Sequence, residues 1–309
     1  MTIRFIDGPT VDAMLDYPSL IQALETLLRG EVTIIQRQLL RIPGRGAEDG
    51  FLGIMPSWLA GRIAGVKLVT GFPGNAARGM PGIAGLYVLI DANDGRMLAV
   101  LDGTRLTARR TAAMAALASD RLARANGRVL LVVGTGAVAH ELPAAHRAIR
   151  AYDRVLIWGR DPARAQGLAA LVPGGSAVTD LEAAARQADH ISCATASGEA
   201  LILGGWLTRG QHVDLIGAFT PAMRESDTAL IARASVYADR VDEVEHTGDI
   251  AGPVAEGHFR LSDIRGDLTA IARATGPLRQ GPDEITVFKS AGHAGADLAA
   301  ALLAYERSM

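Results

Sequence analysis

The chain has 309 residues, 49% hydrophobic and 21% charged, values that fit a soluble globular protein of two domains and exclude a disordered or collagen-like chain. Its 31 basic and 33 acidic residues leave a formal charge of -2, so no global electrostatic footprint for nucleic acid or an anionic membrane exists. The one cysteine, Cys193, excludes an intramolecular disulfide and a cysteine-rich zinc site.

The first residues, Met1 to Asp7, followed by Gly8-Pro9, lack the apolar core of a signal peptide, and no apolar run is long enough for a membrane span. A cytoplasmic, membrane-free protein is expected. Between Thr10 and Arg29 apolar residues recur at helical spacing, interrupted by Pro18, which predicts one or two short helices. Strand-like runs follow at Gln38–Ile42, Phe51–Met55, Ile63–Val69, Ile83–Ile90 and Arg96–Leu101, the last two joined by the hairpin pair Asp94-Gly95. The Ala-rich segment from Thr104 to Asn126 reads as a connecting helix closed by Gly127.

Beyond it the texture changes to alternating strands and helices, with strands at Val129–Val133, Val155–Trp158, Ala177, His190–Cys193 and His212–Ile216, which implies a parallel sheet covered on both faces. A strand at Ile285–Phe288 and a helix from Ala294 to Arg307 complete the chain. Periodicity leaves open which half this last segment joins.

The most specific motif is Gly134-Thr135-Gly136-Ala137-Val138-Ala139, a G-x-G-x-x-A pattern placed directly after a strand and opening a helix. There the first glycine permits a tight turn, the second lets the backbone approach a pyrophosphate, and the helix N-terminus receives the negative charge. An acid at the end of the second strand would accept from a ribose 2′-hydroxyl, but Gly159-Arg160-Asp161 stands there. Arg160 favours the 2′-phosphate of NADP (NADPH) over NAD, although it also reads as a solvated loop residue, with Asp161 as the cap of the next helix. Thr195, just past the strand ending at Cys193, completes this cofactor-binding set.

In the first half Lys67 lies on an apolar strand, Arg37 on a strand-like run, and Arg109 and Arg110 within the Ala-rich helix. Cations on apolar elements need anions, so they read either as a pocket for a carboxylate substrate or as structural ion pairs. The seven histidines show no metal-ligand spacing, so no catalytic metal is expected. Cys193 reads as a buried hydrophobe and Asp297 as a cap or first-turn residue.

The segments FLGIMPSW at 51–58, GVKLVTGFPGNAARGMPG at 65–82, LDGTRLTARRTAAMAALAS at 101–119, VVGTGAVA at 132–139, IGAFTPAMRE at 216–225 and TVFKSAGHAGADLA at 286–299 together resemble the ornithine cyclodeaminase and mu-crystallin family. The resemblance implies an α/β fold in which a Rossmann-type dinucleotide-binding domain (120–284) is inserted into a discontinuous α+β substrate and dimerisation domain (1–119 and 285–309). It implies a homodimer acting on a small amino or imino acid. It also assigns Lys67, Arg37 and Arg110 to catalysis and carboxylate binding, Thr111 to the cofactor, and the loop of Ser290 and Gly292 to the neighbourhood of the nicotinamide.

Two departures bear on activity. Phe219 stands where cyclodeaminases carry an acid, and Val138 where many members carry Gln. The expected activity is therefore NAD(P)H-dependent reduction of cyclic ketimine carboxylates such as pyrroline- or piperideine-2-carboxylate. The alternatives are ornithine cyclodeamination with recycled NAD, an amino acid dehydrogenase, and a non-catalytic NADP-binding redox or small-ligand sensor.

Overall fold

The computed structural model describes residues 3–44 and 49–309; Met1 and Thr2 of the N-terminal stretch read above lie outside them. The chain divides into two compact units, Met1–Arg110 with Ala294–Met309, and Thr111–His293.

The first unit begins with strand β1 (Arg4–Ile6) and helices α1 (Gly8–Met14) and α2 (Tyr17–Arg29). Asp7 and Asp16 start these helices by accepting from the N–H of Thr10 and Ser19, each at 3.0 Å. Pro18 therefore sits in the first turn of α2, where it loses no helical hydrogen bond, and the break falls before Asp16. Strands β2 (Thr33–Ile34), β3 (Gln38–Ile42), β4 (Gly50–Leu59), β5 (Ile63–Gly71), β6 (Ile83–Asp91) and β7 (Met97–Asp102) follow. They form one sheet in the order β1-β7-β6-β5-β4-β2, with β3 also paired to β4; β1 runs parallel to β7 and the other pairs are antiparallel. Gly95, at positive φ, makes the predicted β6–β7 turn.

Alternation along β5 gives the sheet two unlike faces. Ile63, Gly65 and Lys67 point to the buried face, which carries the C-terminal helix Ala294–Arg307. Leu68 points the other way, in register with Ile54 and Leu86, and Leu68 and Leu86 are 38% and 45% exposed. On the buried face the phenol of Tyr87 leans over Gly65, where a Cβ would collide with its ring. Helix α3 (Gly103–Leu122) starts in this unit and ends in the second, stopping at Leu122 rather than the expected Asn126.

The second unit comprises β8 (Val129–Val133), α4 (Ala137–Arg147), β9 (Arg154–Trp158), α5 (Pro162–Ala170), β10 (Gly175–Ala177), α6 (Leu181–Gln187), β11 (His190–Cys193) and β12 (His212–Leu215). Then come α7 (Thr228–Arg233), β13 (Ser235–Ala238), α8 (Val241–Val244), α9 (Gly248–Ala255), α10 (Leu268–Arg273) and β14 (Thr286–Lys289). The sheet is parallel throughout, in the order β10-β9-β8-β11-β12-β14-β13. The strand order reverses between β8 and β11, and a crevice for ligands opens beyond the carboxyl ends of the strands at such a point. The core is a cluster of aliphatic residues that includes the buried Cys193.

Because β14 pairs with β12 and β13, it belongs to the dinucleotide-type unit, and the chain leaves this unit after His293 instead of before residue 285. The returning segment, Ala294–Met309, thus consists of helix α11 (Ala294–Arg307) and the two residues after it.

Three imidazoles that no sequence spacing marks converge on one carboxylate in the second unit. His190 Nε2 lies 2.6 Å from Asp214 Oδ2, His212 Nε2 3.0 Å from Oδ1, and His146 Nε2 3.4 Å from Oδ2, all buried. The neighbouring imidazoles hold the Asp214 carboxyl below its ordinary range against the opposing effect of burial, so the ionised group accepts from His190 and His212. Burial pushes His146 down and His212 to about 4.

Candidate active site

In the first unit the buried face of β5 carries Lys67, flanked in register by Met55 and Tyr87. Its Nζ lies 2.8 Å from Asp297 Oδ2, and Arg110 Nε donates to Asp297 Oδ1 at 2.7 Å; the three side chains are buried. Asp297 is in the first turn of α11, as its place in the sequence suggested, but it is the shared counter-ion of both cations rather than a cap. Ser57 Oγ donates to Ala294 O at 2.9 Å and so anchors that turn on β4.

Burial and the positive charges of Arg110 and Arg37 lower Lys67 from its ordinary 10.5 to about 8, against the opposing pull of Asp297. Asp297 is held below the carboxylate range by Arg110 and Lys67 in spite of its own burial. Arg110 Nη1 is buried without a hydrogen-bond partner among the described residues. A buried guanidinium N–H left unmatched is costly, and a ligand carboxylate is the group that would match it.

Arg37, half-buried, lies in the loop just before β3 rather than on a strand. Arg109 faces away from this cluster: its guanidinium donates to Leu15 O and stacks 4.5 Å from the centre of the Tyr17 ring, so it ties α3 to α1 and α2.

In the second unit a crevice of about 510 Å³ is lined by Gly134, Thr135, Gly136, Trp158, Arg160 and Thr195, among others. Gly134 has φ +126°, which an L side chain rarely adopts, and a Cβ there would lie 2.6 Å from Ala194 O. A Cβ on Gly136 would meet nothing within 4 Å, so the backbone at the start of α4 is open to a ligand. No side chain caps that helix end, leaving its first N–H groups for an anion. The cradle fits a dinucleotide pyrophosphate.

Arg160 is exposed at the crevice. Asp161 is indeed the cap of α5, accepting from Ala163 N at 2.9 Å, and Arg164 in the first turn of α5 donates to Thr135 O at 3.1 Å. Ala137 and Val138 form the first turn of α4. Ser290 and Gly292 lie past β14, both held by Asp239 Oδ2 at 2.7 Å, and Thr111 is buried on α3. Phe219, in place of the cyclodeaminase acid, packs against the apolar core.

The site thus contains residues that sequence reading passed over. Asp297 was visible only as an acid in a helix of small apolar residues. Arg164 lay outside every motif, and the buried Glu225 closed the segment at 216–225 without a distinguishing feature.

The chain matches the ornithine cyclodeaminase/mu-crystallin family over residues 11–309. It is 41% identical over 282 residues to a Delta(1)-pyrroline-2-carboxylate reductase from Paracoccus denitrificans, covering 89% of each chain. Its fold is similar to that of the Thermococcus litoralis Delta(1)-pyrroline-2-carboxylate reductase in complex with NADH and L-proline, with a TM-score of 0.92, 26% identity and coverage of 99% and 97% of the two chains. An archaeal alanine dehydrogenase dimer with bound NAD superposes with a TM-score of 0.91 and 27% identity over 100% and 96% of the chains. Among the described residues no helix is long and apolar enough to cross a membrane. With the family match across residues 11–309 and a relative 41% identical over 89% of the chain, this chain belongs to the ornithine cyclodeaminase/mu-crystallin family.

Proposed function

We propose that the protein is an NAD(P)H-dependent reductase of cyclic ketimine carboxylates, the pyrroline- and piperideine-2-carboxylate class. The observation that carries this reading is the buried pair Lys67 and Arg110 on one carboxylate, with an unmatched Arg110 N–H and a lysine whose proton is exchangeable near neutral pH. Arg110, with Arg37, binds the substrate carboxylate. Lys67 donates its proton to the imine nitrogen, which makes the ring carbon more electrophilic. Asp297 fixes both cations and keeps Lys67 charged up to about pH 8. A dinucleotide held by the backbone at Gly134 to Val138 would supply the hydride for the reduction.

On the cofactor side, the N–H groups at Gly134 to Val138 hold the phosphates, and Thr111, Thr195, Ser290 and Gly292 serve the rest of the molecule. Arg160, with no acid at the end of β9, favours NADPH over NADH. Phe219 supports reduction over cyclodeamination, because an apolar ring, partly buried against the core, cannot accept a hydrogen bond from the distal ammonium of ornithine.

A homodimer accompanies this reading. The second copy covers the open face of the first sheet, where Leu68 and Leu86 stand exposed in register. The experiment that tests the activity follows NADPH oxidation with pyrroline- and piperideine-2-carboxylate, with ornithine and NAD run alongside. Ammonia release from ornithine without ketimine-dependent NADPH consumption would replace this reading with the cyclodeaminase one.

A further inference from the structure

Glu225 precedes α7 and is completely buried. Its two oxygens divide between two loops. Oε1 accepts from Thr195 N at 2.6 Å and Thr195 Oγ1 at 2.9 Å, just past β11, while Oε2 accepts from Gly217 N at 2.8 Å and Ala218 N at 3.4 Å, just past β12. The loops approach so closely that a Cβ on Gly217 would run into the backbone of Thr195.

Glu225 is fixed in turn. Its N–H donates to Asp249 Oδ1 at 2.8 Å; Asp249 Oδ2 meets Lys289 Nζ at 2.8 Å, and Lys289 donates to Ala218 O at 2.7 Å. Lys289 is the last residue of β14, so the network joins the carboxyl ends of three adjacent strands, β11, β12 and β14. This is the edge at which ligands enter an open parallel sheet, and Thr195 lines the crevice there.

We propose that Glu225 is a positioning residue for the dinucleotide, setting the spacing of Thr195 and the Gly217 loop as a four-way hydrogen-bond acceptor. The inference rests on the dinucleotide reading of the crevice. Every partner of the carboxylate is a donor, so a glutamine, with one acceptor and one donor group, cannot replace it.

A protonated Glu225 has the same defect, except that the Thr195 hydroxyl can turn to accept. Burial raises this carboxyl, Lys289 lowers it and Asp249 raises it, leaving it at about 7; the Cys193 thiol, on β11, faces it un-ionised because burial raises its pKa. As pH falls through neutrality, Glu225 lets go of part of one loop and cofactor affinity falls with it.

The test measures NADH affinity by fluorescence between about pH 6 and pH 8 for the full-length wild type, Glu225→Gln and Glu225→Asp, with thermal melting in parallel. NADH is the probe because the 2′-phosphate of NADPH titrates near pH 6 itself. If the protonated form binds about tenfold more weakly, the loss expected for a buried charge-assisted bond, the wild type loses about fivefold over this range. Glu225→Gln binds about tenfold more weakly at pH 8 with a flat profile, and Glu225→Asp is weaker but keeps a pH dependence. A flat wild-type profile overturns the proposal, as does Glu225→Gln matching the wild type. A wild type that binds neither NADH nor NADPH at any pH overturns the dinucleotide reading instead.

Discussion

Asp297 and Lys67 are 230 positions apart in the sequence, yet their charged atoms lie 2.8 Å apart in the interior of the first unit, with Arg110 on the other carboxylate oxygen. One acid therefore neutralises part of the charge of two buried cations. Asp297→Asn leaves both uncompensated. The expected cost is about 3–5 kcal/mol in chemical denaturation, with turnover lost in whatever fraction stays folded. An unchanged midpoint would show that the cations find another counter-ion.

Lys67→Met keeps the length of the side chain but removes its proton and charge. It is expected to lower kcat by about 10²–10⁴ while leaving NADPH affinity, measured by titration, within a factor of about two. In the wild type the reductive rate at saturating cofactor is expected to be level below about pH 8 and to fall above it, because Lys67 must be protonated to donate. The linkage has its own sign. The folded lysine titrates near 8 and the unfolded one near 10.5, so the unfolded state holds more protons between these values and stability rises with pH across that window, by roughly 3 kcal/mol from this group. A rate that climbs above pH 8 would remove Lys67 from the donor role.

Arg160→Ala is expected to weaken NADPH by about tenfold and leave NADH nearly unchanged, since only the 2′-phosphate meets the guanidinium. Equal affinities for the two cofactors in the wild type would sink the assignment. Arg164, bonded to Thr135 O beside it, is a separate control whose replacement disturbs the loop for both cofactors alike.

Leu68→Glu places a charge on the open sheet face between Ile54 and Leu86 without touching the buried side of β5. Light scattering at micromolar concentration is expected to report a dimer for the wild type and a monomer for the variant. A monomeric wild type would mean that something other than a second copy covers this face.

Much of this was legible in the chain. The βα alternation placed β8, β11 and the G-x-G-x-x-A turn correctly, because continuous apolar runs between helices and a glycine pattern are local signals. The missed elements are short: β1 has three residues, α7 and α10 have six each and α9 has eight, all below the window of about 11 to 18 residues over which a helical period is read. The boundary at Ala294 was misplaced because an apolar strand such as β14 reads the same in either sheet. Lys67 and Arg110 were visible as cations on apolar elements, whereas Asp297, Glu225 and the histidines around Asp214 acquire their meaning only from partners distant in sequence.

The return of α11 to the first unit also orders events during synthesis. Lys67 and Arg110 leave the ribosome long before Asp297 does, and the whole second unit is made between them. Until the segment that begins at Ala294 arrives, the N-terminal sheet can close over its lysine only by burying an unbalanced charge, which opposes closure. The nucleotide-type unit, whose strands are complete at Lys289, has no such dependence and is free to fold first. A nascent chain stalled before Ala294 would then hold a formed parallel sheet and an N-terminal half that is still loose, and the carboxylate that completes the site would enter only after the whole second unit has been made.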